Sequence, residues 1–303
     1  MKVSESNASM KRSAIILALL CLCSLAPATS MSDANRHVGW QQPFSAVTSL
    51  DYRAADQRIP YGPSSEQFVD VWFSGNDSRS SPVIALIHGG CWLADYGISH
   101  IGPLASALAE RGFAVWAIEY RRVGQDGGGW PGTFHDIASA MDLLFTQPDP
   151  RLDAARTVVV GHSAGGHLAL WAAGRGRISK DQELYREEPF LPVAAVGLAA
   201  ITDLESYATG ENSCQKVTPR LMGGLPSDRP ERYDQASPAT LGTDIPVVLL
   251  QGDADSIVPP AQARSLAQAR PVIIEEAGHF DLIHPGTPAF GRLVRYLQEM
   301  SKP

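Results

Sequence analysis

Apolar residues fall along this chain in short runs separated by polar, glycine- and proline-rich stretches. Pro82-Val-Ile-Ala-Leu-Ile-His88, Phe113-Ala-Val-Trp-Ala-Ile-Glu119, Thr157-Val-Val-Val160, Val193-Ala-Ala-Val-Gly-Leu198 and Pro246-Val-Val-Leu-Leu-Gln251 are short apolar runs that read as strands, the first three as buried ones. Gln67-Phe-Val-Asp-Val-Trp-Phe73 alternates, the pattern of a half-covered strand, while 51–61 suits a first edge strand and 271–275 a last one. Between them a helical period recurs: Ile101, Leu104, Ala105 and Leu108 within 98–111, then Phe134, Ile137, Met141, Leu144 and Phe145 within 133–146. Further helices are expected after residue 163, near 261–269 and over 288–300. Strand and helix alternating at this spacing predict an α/β fold, a mostly parallel eight-stranded sheet with helices on both faces. Residues 202–240 break the alternation and are rich in Gly, Pro, Asp and Ser, which reads as a small cap insertion over a site. Residues 31–50 are polar with no clear period and read as a loose N-terminal arm.

Length and charge narrow the class. A chain of 303 residues suits one large domain and buries a sizeable core unaided. Net charge is −7 and the body holds no basic run, which excludes nucleic acid as the expected partner. Residues 1–30 read as a secretory signal peptide: Met10-Lys11-Arg12 is positive, 14–25 is almost wholly apolar, and Ala26-Pro27-Ala28 forms a small-residue cleavage site. The apolar run is too short for a membrane span, so no stable membrane anchor is expected and the product is secreted or periplasmic. Beyond the leader two cysteines remain, Cys91 and Cys214. An oxidising compartment permits a bridge from the loop after the third strand to the cap. Spacing does not pair them, however, and two separate buried thiols are the simpler expectation.

The candidate chemistry centres on Gly161-His162-Ser163-Ala164-Gly165, which joins a strand to a helix. In this nucleophile elbow the serine backbone is strained, glycines flank it because side chains there would collide, and the helix N-terminus points at whatever the hydroxyl attacks. A serine needs a base and something to orient that base. The order Ser, acid, His assigns Ser163, Asp255 and His279 as catalytic, each in a loop at the carboxyl end of a strand. Asp253 is a rival to Asp255, otherwise a turn or capping carboxylate, and Asp281 is a weaker one. The oxyanion requires amides aimed at it beforehand. Ala164 supplies one, and Gly90 and Cys91 of His88-Gly-Gly-Cys-Trp92 the others, with the Cys91 side chain expected to point away from substrate. His88 is read as pinning that loop by a hydrogen bond. His162 and His167 are read as packing or supporting groups, His100 and His284 as surface or loop residues. Trp92, Tyr96, Trp130 and Tyr207 lie on loops near the site and are candidate substrate-binding residues, with packing of the cap as the alternative. No cofactor motif occurs, and the histidines and cysteines lack metal-ligand spacing.

With these motifs the chain resembles the α/β-hydrolase superfamily from about residue 65 onward. His-Gly-Gly-x-Trp and Gly-His-Ser-Ala-Gly-Gly-His-Leu are similar to the esterase and lipase branch that includes feruloyl-esterase-like enzymes and kynurenine formamidases. Gly252-Asp-Ala-Asp255-Ser-Ile-Val-Pro259 and Gly278-His279-Phe-Asp281 match that superfamily's acid and histidine loops. Cys91 departs from the pattern, standing where many esterases have a third glycine and kynurenine formamidases often a tyrosine. The resemblance implies a secreted serine hydrolase cleaving small carboxylic esters through an acyl-enzyme. An arylformamidase acting on an aromatic formamide is the alternative, and a non-catalytic binding module on the same fold a third. Oligomeric state is left open.

Overall fold

The computed structural model describes residues 38–75, 80–146 and 148–302. The leader assigned to residues 1–30 lies outside these. The segment 38–50 is not the loose arm expected: it holds helix α1 (Phe44–Thr48), Val47 is fully buried, and the Gln41 and Gln42 amides donate to the Asp281 carboxylate at 2.6 and 2.9 Å.

Eight strands form one sheet: β1 (Gln57–Pro60), β2 (Phe68–Trp72), β3 (Ser81–Ile87), β4 (Ala114–Ile118), β5 (Leu152–His162), β6 (Ala194–Leu198), β7 (Val247–Gly252) and β8 (Ala269–Ile274). Their order is β1-β2-β4-β3-β5-β6-β7-β8. The pairs β1–β2 and β2–β4 are antiparallel, and the other five pairs are parallel. β4 and β7 are buried at every position, as their unbroken apolar runs require. The register aligns strand ends at one rim, with Ile87 beside Gly161, His162 beside Leu198, Leu198 beside Leu250, and Gly252 beside Ile274. Loops leaving that rim are thereby gathered, whatever their distance along the chain.

Helices α2 (Gly102–Glu110), α3 (Gly132–Thr146) and α4 (Ala164–Gly174) follow β3, β4 and β5. Every residue of α4 is buried, because it lies between the sheet and other helices rather than at the surface. α3 buries Phe134, Ile137, Met141 and Leu144, but Phe145 departs from the expected apolar face: it is 69% exposed and stacks on Phe190. Residues 202–240 carry α5 (Leu204–Ala208), α6 (Thr218–Met222), α7 (Pro230–Ala236) and α8 (Pro238–Leu241). Asp203 starts α5 by accepting from the Glu205 and Ser206 amides, and α7 is tied to α4 where His167 Nε2 and Trp171 Nε1 meet the Ala236 and Gln235 carbonyls. The helix expected over 261–269 is reduced to one turn, α9 (Gln262–Ser265). Leu266 turns extended, and pairing of Ala269 with Val247 starts β8 two positions before Pro271, so strand pairing prevails over local helical preference. Last comes α10 (Pro288–Met300), amphipathic, burying Phe290, Leu293, Val294 and Leu297 and leaving its other face in water.

Candidate active site

The turn between β5 and α4 holds Ser163 at φ 56° and ψ −121°, a conformation that costs an L-residue about 1–3 kcal/mol and persists only when its surroundings enforce it. They do so by crowding. A Cβ on Gly161 would sit 2.0 Å from the Gly165 carbonyl oxygen, and one on Gly165 would sit 2.3 Å from the carbonyl oxygens of both Ile87 and His88. The Ser163 amide donates to the Leu198 carbonyl at 2.8 Å, hanging the turn from β6. Ala164 is the first residue of α4, where the helix offers amides with no partner of their own.

Asp255, in the loop after β7, and His279, in the loop after β8, meet: His279 Nδ1 donates to Asp255 Oδ2 at 2.8 Å. The other carboxylate oxygen accepts from the Ile257 and Val258 amides at 2.8 and 2.9 Å, and Gln251 Nε2 donates to Oδ2 at 3.2 Å. The carboxylate is therefore held in one orientation. A proton on Nδ1 leaves Nε2 of the neutral ring with its lone pair free. Ser163 and His279 line one cavity of about 230 Å³; no hydrogen bond joins Ser163 Oγ to the imidazole at rest. Asp253 is not part of this arrangement, since it accepts from the Glu276 amide at 2.7 Å and braces the turn after β8. Asp281 is fully buried and accepts from the Gly278, Gln41 and Gln42 amides.

The loop after β3 forms the facing wall. Gly90, Cys91 and Trp92 all have positive φ, at 101°, 51° and 55°. Gly90 and Cys91 line the cavity, and their amides meet no acceptor among the described residues. His88 pins the loop's base: its Nδ1 lies 2.8 Å from the Gly89 carbonyl, its Nε2 2.7 Å from Glu119, and its ring stacks on Tyr120. Burial pushes the Glu119 carboxyl up, but His88, Arg122 and the Ile98 amide outweigh this and hold it at about 2.

Two expectations about side chains in this loop are corrected. Cys91 does not point away from the cavity; it lines the wall and forms a disulfide with Cys214, their Cα atoms 5.1 Å apart across a sequence separation of 123. The two cysteines are therefore not separate thiols. Trp92 is fully buried, its ring edge-on to His167 at 5.4 Å, because its left-handed backbone turns the indole under the loop.

Of the other aromatic candidates, Tyr96 lines the cavity, whereas Trp130 and Tyr207 do not. Trp130 packs on Phe134 and donates to Glu183, and Tyr207 is buried with its hydroxyl on the Ile257 carbonyl. The aromatic wall instead comes from Phe44, whose ring meets Tyr96, His100 and Phe280 at 5.8, 5.6 and 5.3 Å. His100 is no surface residue: burial first, then the nearby His88, lower its pKa to about 3, so it faces the cavity neutral. His284 is buried too, accepting from the Gly286 amide. His162 lines the cavity, donates from Nε2 to the His279 carbonyl at 3.1 Å, and is held well below the ordinary histidine pKa by burial and by His279. Asn212, Ser213 and Ser256 make the opposite wall polar. Nothing in the local pattern around Phe44 or His100 marked them, as both reach the site only through packing. Among the described residues no cluster of three or more His, Cys, Asp or Glu is placed to hold a metal ion, and no helix is long and apolar enough to cross a membrane.

This geometry can be set beside known proteins. The sequence model of the family described as BD-FAE matches residues 69–269. Esterase LipQ of Mycobacterium tuberculosis (strain ATCC 25618 / H37Rv) is 28% identical over 254 residues, which cover 80% of this chain and 59% of that protein. Esterase LipC of the same organism is 28% identical over 237 residues, 75% of this chain and 58% of that one. The chain thus spans under two thirds of the length of these curated relatives. Among solved structures, esterase B from Lactobacillus rhamnosis superposes with a TM-score of 0.71 at 20% identity, covering 85% of this chain and 90% of that one. A truncated carbohydrate esterase from gut microbiota does so at 0.67 and 21%, covering 82% and 97%. At such identities the likeness to these structures shows the shared α/β-hydrolase fold.

Proposed function

The chain belongs to the BD-FAE family, and on that premise we propose that it is a carboxylic ester hydrolase acting on small esters through Ser163, His279 and Asp255. The observation that carries the reading is the His279 Nδ1–Asp255 hydrogen bond in the cavity that also holds the strained Ser163. In this scheme His279 Nε2 takes the proton of Ser163 as Oγ attacks the ester carbonyl, and returns it to the departing alkoxide. The acyl-enzyme is then opened by water through the same base. Asp255 keeps the imidazole in the Nδ1–H tautomer and stabilises the imidazolium that forms. The amides of Ala164, Gly90 and Cys91 receive the oxyanion, each donor being worth about 3 kcal/mol in the transition state. Names of relatives that are esterases support this substrate class over a formamide.

We also propose that the protein works outside the cytoplasm, secreted or in a periplasm. The N-terminal leader pattern and the Cys91–Cys214 bridge support this, since disulfides persist in oxidising compartments.

Ser163→Ala is the test. Hydrolysis of p-nitrophenyl esters should fall to within about 10³–10⁴-fold of the uncatalysed rate, the residue left by binding and the oxyanion site. A fluorophosphonate should label the wild-type protein at Ser163 and leave the variant unlabelled. Undiminished ester hydrolysis by the variant would refute the scheme. Faster turnover of N-formylkynurenine than of any ester would favour the formamidase, and no labelling of the wild type would favour the binding module.

A further inference from the structure

We infer that the Cys91–Cys214 disulfide is a positioning device for this reaction, holding the Gly90–Cys91 backbone in its oxyanion-binding conformation so that turnover depends on the bond. The inference rests on the esterase reading above.

Two consecutive non-glycine residues, Cys91 and Trp92, are left-handed at φ 51° and 55°. L-residues avoid that region, because Cβ crowds the following carbonyl oxygen. Something must therefore enforce it, and the restraints are unequal. Trp92 is held by its buried indole and by its carbonyl, which accepts from the Val123 amide at 2.8 Å. The Gly90 carbonyl accepts from the Leu93 amide at 2.9 Å. Neither backbone group of Cys91 has a hydrogen-bond partner among the described residues, and beyond the Gly90–Leu93 bond that closes the turn around it, its tether is the bond to Cys214.

The other end of that tether is firm. Cys214 is 1% exposed and its carbonyl accepts from the Val217 amide, while the nearby Asn212 Nδ2 donates at 2.9 Å to the Ile257 carbonyl. Ile257 is in turn fixed by its amide on Asp255 Oδ1. The bridge thus ties the loop that presents amides to the segment around Cys214, which the Asn212–Ile257 hydrogen bond joins to the loop that carries the acid. Both sulfurs belong to residues of the cavity wall, and Cys91 is half-buried, so a small dithiol can approach. Such a reductant gives two electrons and two protons, leaving Cys91 and Cys214 as thiols and itself as a disulfide.

The test compares Cys91→Ser/Cys214→Ser with Cys91→Gly/Cys214→Ser. Without the bond, serine at 91 should let the amide drift, and kcat should drop about tenfold with KM little changed, a fraction of the 10²–10³ that one lost oxyanion donor costs. Glycine takes positive φ freely, so the glycine variant should regain most of that loss. Wild-type enzyme treated with dithiothreitol should lose about tenfold in kcat and recover on reoxidation, a measurement that needs no variant to fold; the glycine variant should be insensitive to the same treatment. Wild-type kcat in both double variants, a change confined to KM, or equal losses in the serine and glycine variants would each overturn the inference. If oxidised wild-type enzyme shows no Ser163-dependent ester hydrolysis, the esterase reading fails first, and this inference with it.

Discussion

Asp253 and Asp255 stand two positions apart and meet different partners. Asp255 has both oxygens occupied by donors, one of them His279, whereas Asp253 braces the backbone at Glu276. Their asparagine variants should therefore separate. Asp255→Asn should lower kcat by about 10³–10⁴, because an amide at this position favours the wrong imidazole tautomer. Asp253→Asn should cost about 1 kcal/mol of stability through a weakened hydrogen bond and leave turnover near wild type. Steady-state kinetics and thermal melts on both variants decide it, and equal kinetic losses would contradict the assignment. The residues gathered here were legible because each sits in a short motif at a strand end. The walls were less so. Trp92 lies beside the cavity residues in sequence, yet its backbone rotates the indole into the core; Phe44 is remote in sequence, yet its ring closes the cavity.

At the scale of elements, the strand–turn–helix unit depends on the absence of side chains. Gly165→Ala would drive a methyl into the carbonyl oxygens of Ile87 and His88, which belong to β3 and the residue after it. Since backbone cannot step aside as a flexible side chain can, this substitution should cost about 3 kcal/mol. It should also reduce labelling of Ser163 by a fluorophosphonate even where the protein remains folded; a melt and labelling rate equal to wild type would show that the turn has slack. Most strands and the long helices were readable from periodicity, as burial on both faces or one leaves a plain pattern. The structure departs from that pattern where another element decided. Pairing with β7 began β8 early and shortened α9, and packing against Asp281 and Phe280 ordered the segment 38–50 despite its polar composition.

For the molecule as a whole, buried histidines set the acid limit. Burial lowers His100 to about 3 and His167 to about 4, and burial with His279 alongside keeps His162 well below its ordinary value. All three are neutral in the fold but take protons near pH 6.5 when the chain unfolds, so their stabilisation is present above that pH and lost as pH falls. Three protons correspond to about 4 kcal/mol per pH unit. Glu119, held at about 2 when folded, adds a further loss below about pH 4.5. Urea midpoints measured across this range should hold steady above about pH 7 and fall steeply between about 6 and 4.5. A flat profile there would contradict the burial of these rings. The disulfide acts at the same scale: closing a loop of more than 100 residues should contribute about 4–5 kcal/mol, seen as a lower melting temperature after reduction.

By itself the amino-acid sequence determined the alternation of strand and helix, the glycine-flanked serine, and the order in which nucleophile, acid and histidine leave the sheet. These are local: periodicity, steric demand at a turn, and residue type at a strand end are all carried within a few positions. Only the tertiary structure decided which carboxylate met His279, which aromatic rings faced the cavity, and that Cys91 joined Cys214. Those outcomes depend on side-chain direction and on register between distant segments: the positive φ at Trp92 accompanies an indole buried in the core, and pairing of Ala269 with Val247 sets where β8 begins.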